Sequence, residues 1–159
     1  MIEGAERIAA IFNIFHDGWI SAAAWRGPDL LLTVEIPYLA ERVDPGWERF
    51  AVELRAVGGL EFEPWYHQPP HTADSALLAE LDAIFQAELD ILSCDLEDGR
   101  VKLVCNQTSD DADWCGGFLR FAAAGALVFD EGGAPWDLDQ LIELCQGYWE
   151  QWEKRNGGG

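Results

Sequence analysis

Along residues 2–15 the apolar side chains Ile8, Ile11, Phe12 and Phe15 recur at helical spacing, with Glu3, Glu6 and Arg7 on the other side. This pattern predicts a short amphipathic helix. His16-Asp17-Gly18 ends it. The pattern then changes to apolar, partly β-branched runs over residues 19–25 and 30–39, separated by the turn chemistry of Arg26-Gly27-Pro28-Asp29, which predicts a hairpin. Phe50, Val52 and Leu54 alternate with Glu53 and Arg55 as on a half-buried strand, and Gly58-Gly59 turns the chain into a second alternating strand, Leu60-Glu61-Phe62-Glu63. Residues 66–74 contain Pro69-Pro70 and read as a connecting loop. Leu77, Leu78, Leu81, Ile84 and Phe85 fall on one face of a central helix capped by Asp74 or Ser75.

A second β series follows: residues 89–96, the turn Glu97-Asp98-Gly99, residues 101–105, a polar loop through Asp113, then residues 118–123 and 126–129. Asp-Gly between two apolar runs is a strong local hairpin signal. The chain closes with a capping box, Asp137 with Gln140, before Leu138, Leu141, Ile142, Leu144, Cys145, Tyr148, Trp149 and Trp152, the broad apolar face of a long C-terminal helix.

The two β series resemble each other. Ile20 and Leu30 are spaced across the first turn as Ile91 and Val101 are across the second. Arg49-Phe50 and Arg120-Phe121 open strands that reach Gly-Gly-Leu-Glu-Phe (58–62) and Gly-Ala-Leu-Val-Phe (125–129), and Trp47 and Trp114 precede equivalent strands. This predicts one four-strand module used twice, at residues 16–63 and 87–131. The expected architecture is a single α+β domain over residues 1–155, with about eight mostly antiparallel strands, an N-terminal helix, a central helix and a long C-terminal helix packed on the sheet. Residues 156–159 form an expected disordered tail.

Composition supports one core: hydrophobic residues make up 49% of the 159 and aromatics 12%, including eight Trp. The formal net charge is −19, from 29 Asp and Glu against 10 Lys and Arg. That balance argues against nucleic acid as a partner, because phosphate needs a basic face. It leaves two uses for the charge, solubility and a docking face for a basic protein. No run approaches the roughly 18–20 apolar residues of a membrane span. Residues 1–15 carry no basic leader of the secretory kind, so the expected compartment is the cytoplasm.

Candidate chemistry is sparse. Cys94, Cys105, Cys115 and Cys145 contain no Cys-x-x-Cys pair and read as small buried hydrophobes. Gly58-Gly59, Gly116-Gly117 and Gly132-Gly133 belong to no phosphate-binding fingerprint and read as turns. No catalytic residue, cofactor or metal site is assigned. Two arrangements remain open. In the first, Asp110, Asp111 and Asp113 with Trp114 and Trp47 contact a cationic protein, Trp being a residue that supplies much of the energy at interfaces. In the second, His16, Asp17, His67 and His71 converge in one pocket and serve a small-molecule or metal-dependent enzyme. Against the second, Pro69-Pro70 stands between two of the histidines, and adjacent residues on an extended chain point to opposite faces.

Phe15-His16-Asp17-Gly18-Trp19-Ile20, followed by a hairpin and an alternating strand ending in Leu60-Glu61-Phe62, resembles small bacterial families with a His-Asp-x-x-Ile strand opening. Among these are immunity proteins of polymorphic toxin systems and groups of unknown function. The resemblance implies a cytoplasmic α+β protein that neutralises a toxin; separately, the chain is expected to be a monomer or homodimer. It transfers no catalytic residue, and the second β series lacks the His-Asp pair.

Overall fold

The computed structural model describes residues 1–66, 77–108 and 114–157. The N-terminal periodicity becomes α1 (Ala5–Ile14), which buries Ile8, Ala9, Ile11, Phe12 and Ile14. A hairpin follows, β1 (Trp19–Arg26) and β2 (Asp29–Glu35). The apolar run expected to continue this strand to residue 39 instead turns into α2 (Pro37–Val43). Proline lacks the N–H that a ladder needs but fits the first turn of a helix, so the chain leaves the sheet at Pro37, and Leu39 and Ala40 take the buried face.

Next come β3 (Arg49–Arg55) and β4 (Gly58–Tyr66). The expected central helix is a single turn, α3 (Leu81–Ile84). Leu78 exchanges backbone hydrogen bonds of 2.8 and 2.9 Å with Phe62 of β4, so these groups are already committed to the sheet when the helix begins. Asp74 and Ser75, the expected caps, lie outside the described residues. The second series forms β5 (Leu89–Glu97), β6 (Arg100–Asn106), β7 (Trp114–Ala122), β8 (Gly125–Asp130) and the short β9 (Pro135–Trp136). Then α4 (Leu138–Asn156) starts at the Asp137–Gln140 capping box and runs through Asn156, into the stretch expected to be a tail.

All nine strands join one antiparallel sheet in the order β4-β7-β6-β5-β1-β2-β3-β8-β9, so the α+β expectation is met. Only Ala56 and Val57 separate β3 from β4, although these strands stand far apart in that order. The ladder explains this: Arg55 pairs Gly125, and Gly58 pairs Ala122. Residues 49–66 and 114–130 are therefore two long strands, each kinked once, that pair along their length, with Ala56 at φ 49 taking up one kink. A two-residue link spans only about 7 Å, so the sheet must curl until its far ends meet around the core. Phe12, Phe15, Phe50, Phe62 and Phe121 fill that interior.

The halves follow the same path. Ile20 pairs Val34 and Ala22 pairs Thr33 across a bulge; Ile91 pairs Cys105 and Ser93 pairs Val104 across a matching one. Leu30 pairs Leu54 in the first meander and Val101 pairs Phe121 in the second, so Phe121 is the counterpart of Leu54. The expected match of Arg49-Phe50 with Arg120-Phe121 is thus out of register, because residues 36–48 and 107–113 connect the strands with different lengths. Trp47 and Trp114 do occupy equivalent places, each seven residues before these counterparts.

Cys94 and Cys105 are buried, whereas Cys115 is exposed, against expectation, and Cys145 is half-buried. Across β5 and β6, Cys94 faces Leu103 and Cys105 faces Ile91. Burial pushes the Cys94 thiol up to about 12, and the same cause raises Cys105. Since the thiolate is the nucleophile, a maleimide at pH 8 should label Cys115 first. Mass spectrometry is expected to find Cys94 and Cys105 unlabelled until denaturant is added; equal labelling of all four in buffer contradicts this packing.

Candidate functional site

Cross-strand register decides where the charge resides. Strands expose alternate side chains, and on the outer face of the sheet Arg55 meets Asp29 at 3.2 Å, Arg49 meets Glu35 at 3.1 Å and Arg100 meets Glu61 at 3.0 Å. Lys102 meets Glu97 and Arg120 meets Glu63, both at 2.7 Å. Hydrogen bonding from Lys102, with Arg120 close by, holds the Glu97 carboxyl below its usual range. Each pair on such a solvated surface adds little to stability, so the larger consequence is charge cancellation. Glu48 and Glu53 also join the belt, through Arg49 and Arg55. Five of the ten cations and seven of the 29 acids take part among the described residues, giving this belt −2. The other 22 acids and five cations, outside this belt, carry the remaining −17.

Trp47, Trp65, Trp114 and Trp136 are tied into the fold. The Trp114 indole N–H donates to the Gln107 side-chain oxygen, and the Gln107 amide donates to the carbonyls of Ile84 at 2.7 Å and Ala87 at 2.9 Å. Trp47 lies over Gly132, where an added Cβ would stand 2.7 Å from its ring. Trp136 donates to buried Asp130 at 2.9 Å, and Trp65 meets Phe118 edge-on at 5.1 Å. Trp47 and Trp114 are half-buried, so each keeps some surface beside its structural contacts. Asp110, Asp111 and Asp113 lie outside the described residues.

His16 and Asp17 do come together, with Nε2 of His16 3.8 Å from an Asp17 carboxylate oxygen. The expectation of opposite faces assumed an extended chain, whereas Asp17 sits at φ 69, in the left-handed region. Nδ1–H of His16 donates to the Asn13 carbonyl at 2.7 Å, and its ring lies parallel to Trp149 with centroids 5.8 Å apart. The Asp17 side chain is 69% exposed, which makes the pair a solvated helix exit rather than an enclosed acid–base couple. His67 and His71 lie outside the described residues.

One concave feature among the described residues is not expected from the sequence. It is a groove of about 600 Å³ between α2 and α4, bordered by Tyr38, Arg42, Tyr148, Gln151, Trp152 and Arg155. Arg42 donates to Gln151 at 2.7 Å. The Tyr38 ring lies 4.5 Å from Tyr148, and its hydroxyl donates to the His16 carbonyl at 2.7 Å, with burial pushing that phenol well above its ordinary range. Tyr148, Trp149 and Trp152 continue the aromatic row at 5.1 and 5.8 Å spacings, ending in a Trp152 that is 47% exposed. The aromatic face of α4 is readable at its helical spacing; the facing wall is hidden because residues 37–39, the start of α2, read as strand. Among the described residues no group of three or more His, Cys, Asp or Glu is placed to hold a metal ion. The chain matches no family model, no curated protein and no solved structure.

Proposed function

We propose that the chain is a noncatalytic, immunity-like binding protein of the bacterial cytoplasm that captures a basic protein through its acidic surface. The observation that supports this most is the partition of charge: the belt of ion pairs on the sheet nearly cancels itself, while −17 remains outside the belt. An unpaired excess of one sign steers an oppositely charged partner into encounter. The exposed end of the aromatic row, Trp152 beside Tyr148, adds an apolar contact of the kind that holds a complex once formed. Neutralisation of the partner then needs no chemistry, only occupation of its working surface. Repulsion between two copies of charge −19 favours a monomer in the free state.

The test is crosslinking capture from the native bacterium. The expected result is a protein rich in Lys and Arg that, once purified, binds the chain directly. Recovery of neutral or acidic proteins alone, or clear turnover by the purified chain in a substrate screen, removes the reading.

A further inference from the structure

Among the described residues strand β1 is paired along one edge and only at the start of the other. Along its length β2 pairs one side, but on the other β5 pairs it only where Trp19 meets Asp90 and Ile20 meets Leu89. Over residues 22–26 no strand among the described residues occupies that second edge. Among the described residues the matching stretch of β5 is also without a strand, yet there the Asn13 side chain, near the end of α1, donates to the Cys94 carbonyl at 2.7 Å and accepts from its amide at 2.8 Å. Ala23 is the β1 counterpart of Cys94. Each stands three residues before its hairpin's closing pair, Arg26 with Asp29 and Glu97 with Arg100.

Antiparallel pairing alternates the direction of backbone groups, so the N–H and C=O of Ala23 point away from β2 as those of Cys94 point away from β6. Trp25, two residues on, presents its backbone the same way. No described side chain takes the role for Ala23 that Asn13 takes for Cys94. The element that precedes β5, as α1 precedes β1, is the four-residue α3. Exposed edges of this kind are templates for another strand and are normally blunted by a charge, a proline or a covering element. Here the edge runs Ala22-Ala23-Ala24-Trp25, with the Trp25 side chain 44% exposed opposite buried Leu30.

Arg26 closes the far end of this edge, while the segment against its near end carries charge of one sign. Residues 80–90 hold Glu80, Asp82, Glu88 and Asp90, all exposed, and no Lys or Arg. Asp90 pairs directly with Trp19, so this acidic segment lies against the point where the open edge begins. A second copy of the chain would bring the same carboxylates to the same place.

Resting on the reading that the partner is basic, we propose that residues 22–26 of β1 are the docking edge for an extended, cationic segment of that partner. The segment adds one strand to the sheet through main-chain hydrogen bonds at Ala23 and Trp25, sets an apolar side chain on the Trp25 ring, and turns Lys or Arg toward Glu88 and Asp90.

The probes are two capped heptapeptides, one alternating Lys with Val and the other Glu with Val. On binding the lysine peptide, the amides of Ala23 and Trp25 are expected to slow in hydrogen exchange by about tenfold or more. The glutamate peptide is expected to bind at least about tenfold more weakly. Ala23→Pro removes a donor at an edge position, where proline is tolerated, and is expected to weaken the lysine peptide by about tenfold. Exchange in the wild-type chain needs no variant, so it decides the matter even if Ala23→Pro fails to fold. If the lysine peptide is preferred but protects another segment, or binds a folded Ala23→Pro unchanged, the β1 edge is wrong while the acidic-capture reading stands. Equal binding of both peptides overturns that reading itself. A wild-type dimer in sedimentation that Ala23→Pro abolishes makes the occupant a second copy and overturns the proposal.

Discussion

Gly117→Val should leave little folded protein, with a loss of about 3 kcal/mol or more in urea unfolding. Gly117 lies inside β7, paired with Cys105 of β6 on one side and Pro64 of β4 on the other. A Cβ there would stand 2.4 Å from the Glu63 carbonyl oxygen and 2.7 Å from the Phe62 ring. The first neighbour is ladder backbone and the second is a fully buried core side chain, so neither can yield without breaking the β4–β7 pairing. The next residue tells the same story, since a Cβ on Gly116 would lie 2.3 Å from the Cys105 carbonyl oxygen. These two glycines are therefore strand residues chosen for close approach, not the turn that the sequence suggests. A Gly117→Val protein with the wild-type unfolding midpoint would refute this packing.

Gln107→Leu is the second large loss, again about 3 kcal/mol. Gln107 is 1% exposed and follows directly on β6. Its amide serves the Ile84 and Ala87 carbonyls, its side-chain oxygen accepts from the Trp114 indole, and its backbone N–H donates to the Cys115 carbonyl at 3.0 Å. One side chain thus ties the end of α3 and the chain leading to β5 to the start of β7. Leucine has similar volume but supplies none of the three polar contacts, so two buried carbonyls lose a donor and the indole loses this acceptor. Each such loss costs about 1 kcal/mol or more in a dry interior. A midpoint unchanged from wild type would show that water replaces the glutamine at no cost.

Both substitutions mark what the chain's own pattern conveys and what it withholds. Alternation at Phe50, Val52 and Leu54, the Asp-Gly hairpin and the Asp137–Gln140 box are local signals, and each produced the element it predicts. Local alternation does not distinguish a hairpin from a kinked strand, however. Gly58-Gly59 reads as a turn between neighbours, whereas both glycines lie inside β4 and the register carries β3 on into it through a kink. At Pro37 the apolar run continued but the missing N–H ended the ladder, and with α2 went one wall of the groove. The belt of ion pairs was only half visible: Glu53 and Arg55 announce an exposed strand face, but which carboxylate meets which cation is set by pairing across strands distant in sequence. His16 and Asp17 were noticed and meet in space, through a left-handed Asp17 that no periodicity foretells.

The partition of charge makes a kinetic statement. Residues of the belt are cancelled at short range, so the steering field arises from unpaired carboxylates such as Glu143, Glu150 and Glu153, all exposed on α4. Screening shortens the reach of that field from about 14 Å at 50 mM salt to about 4 Å at 500 mM. The decisive measurement is the stopped-flow association rate of the chain with its captured basic partner across that salt range. A fall of about tenfold or more, with dissociation much less affected, is the expected result. An association rate that stays level as salt rises would mean that the excess negative charge serves solubility and takes no part in recognition.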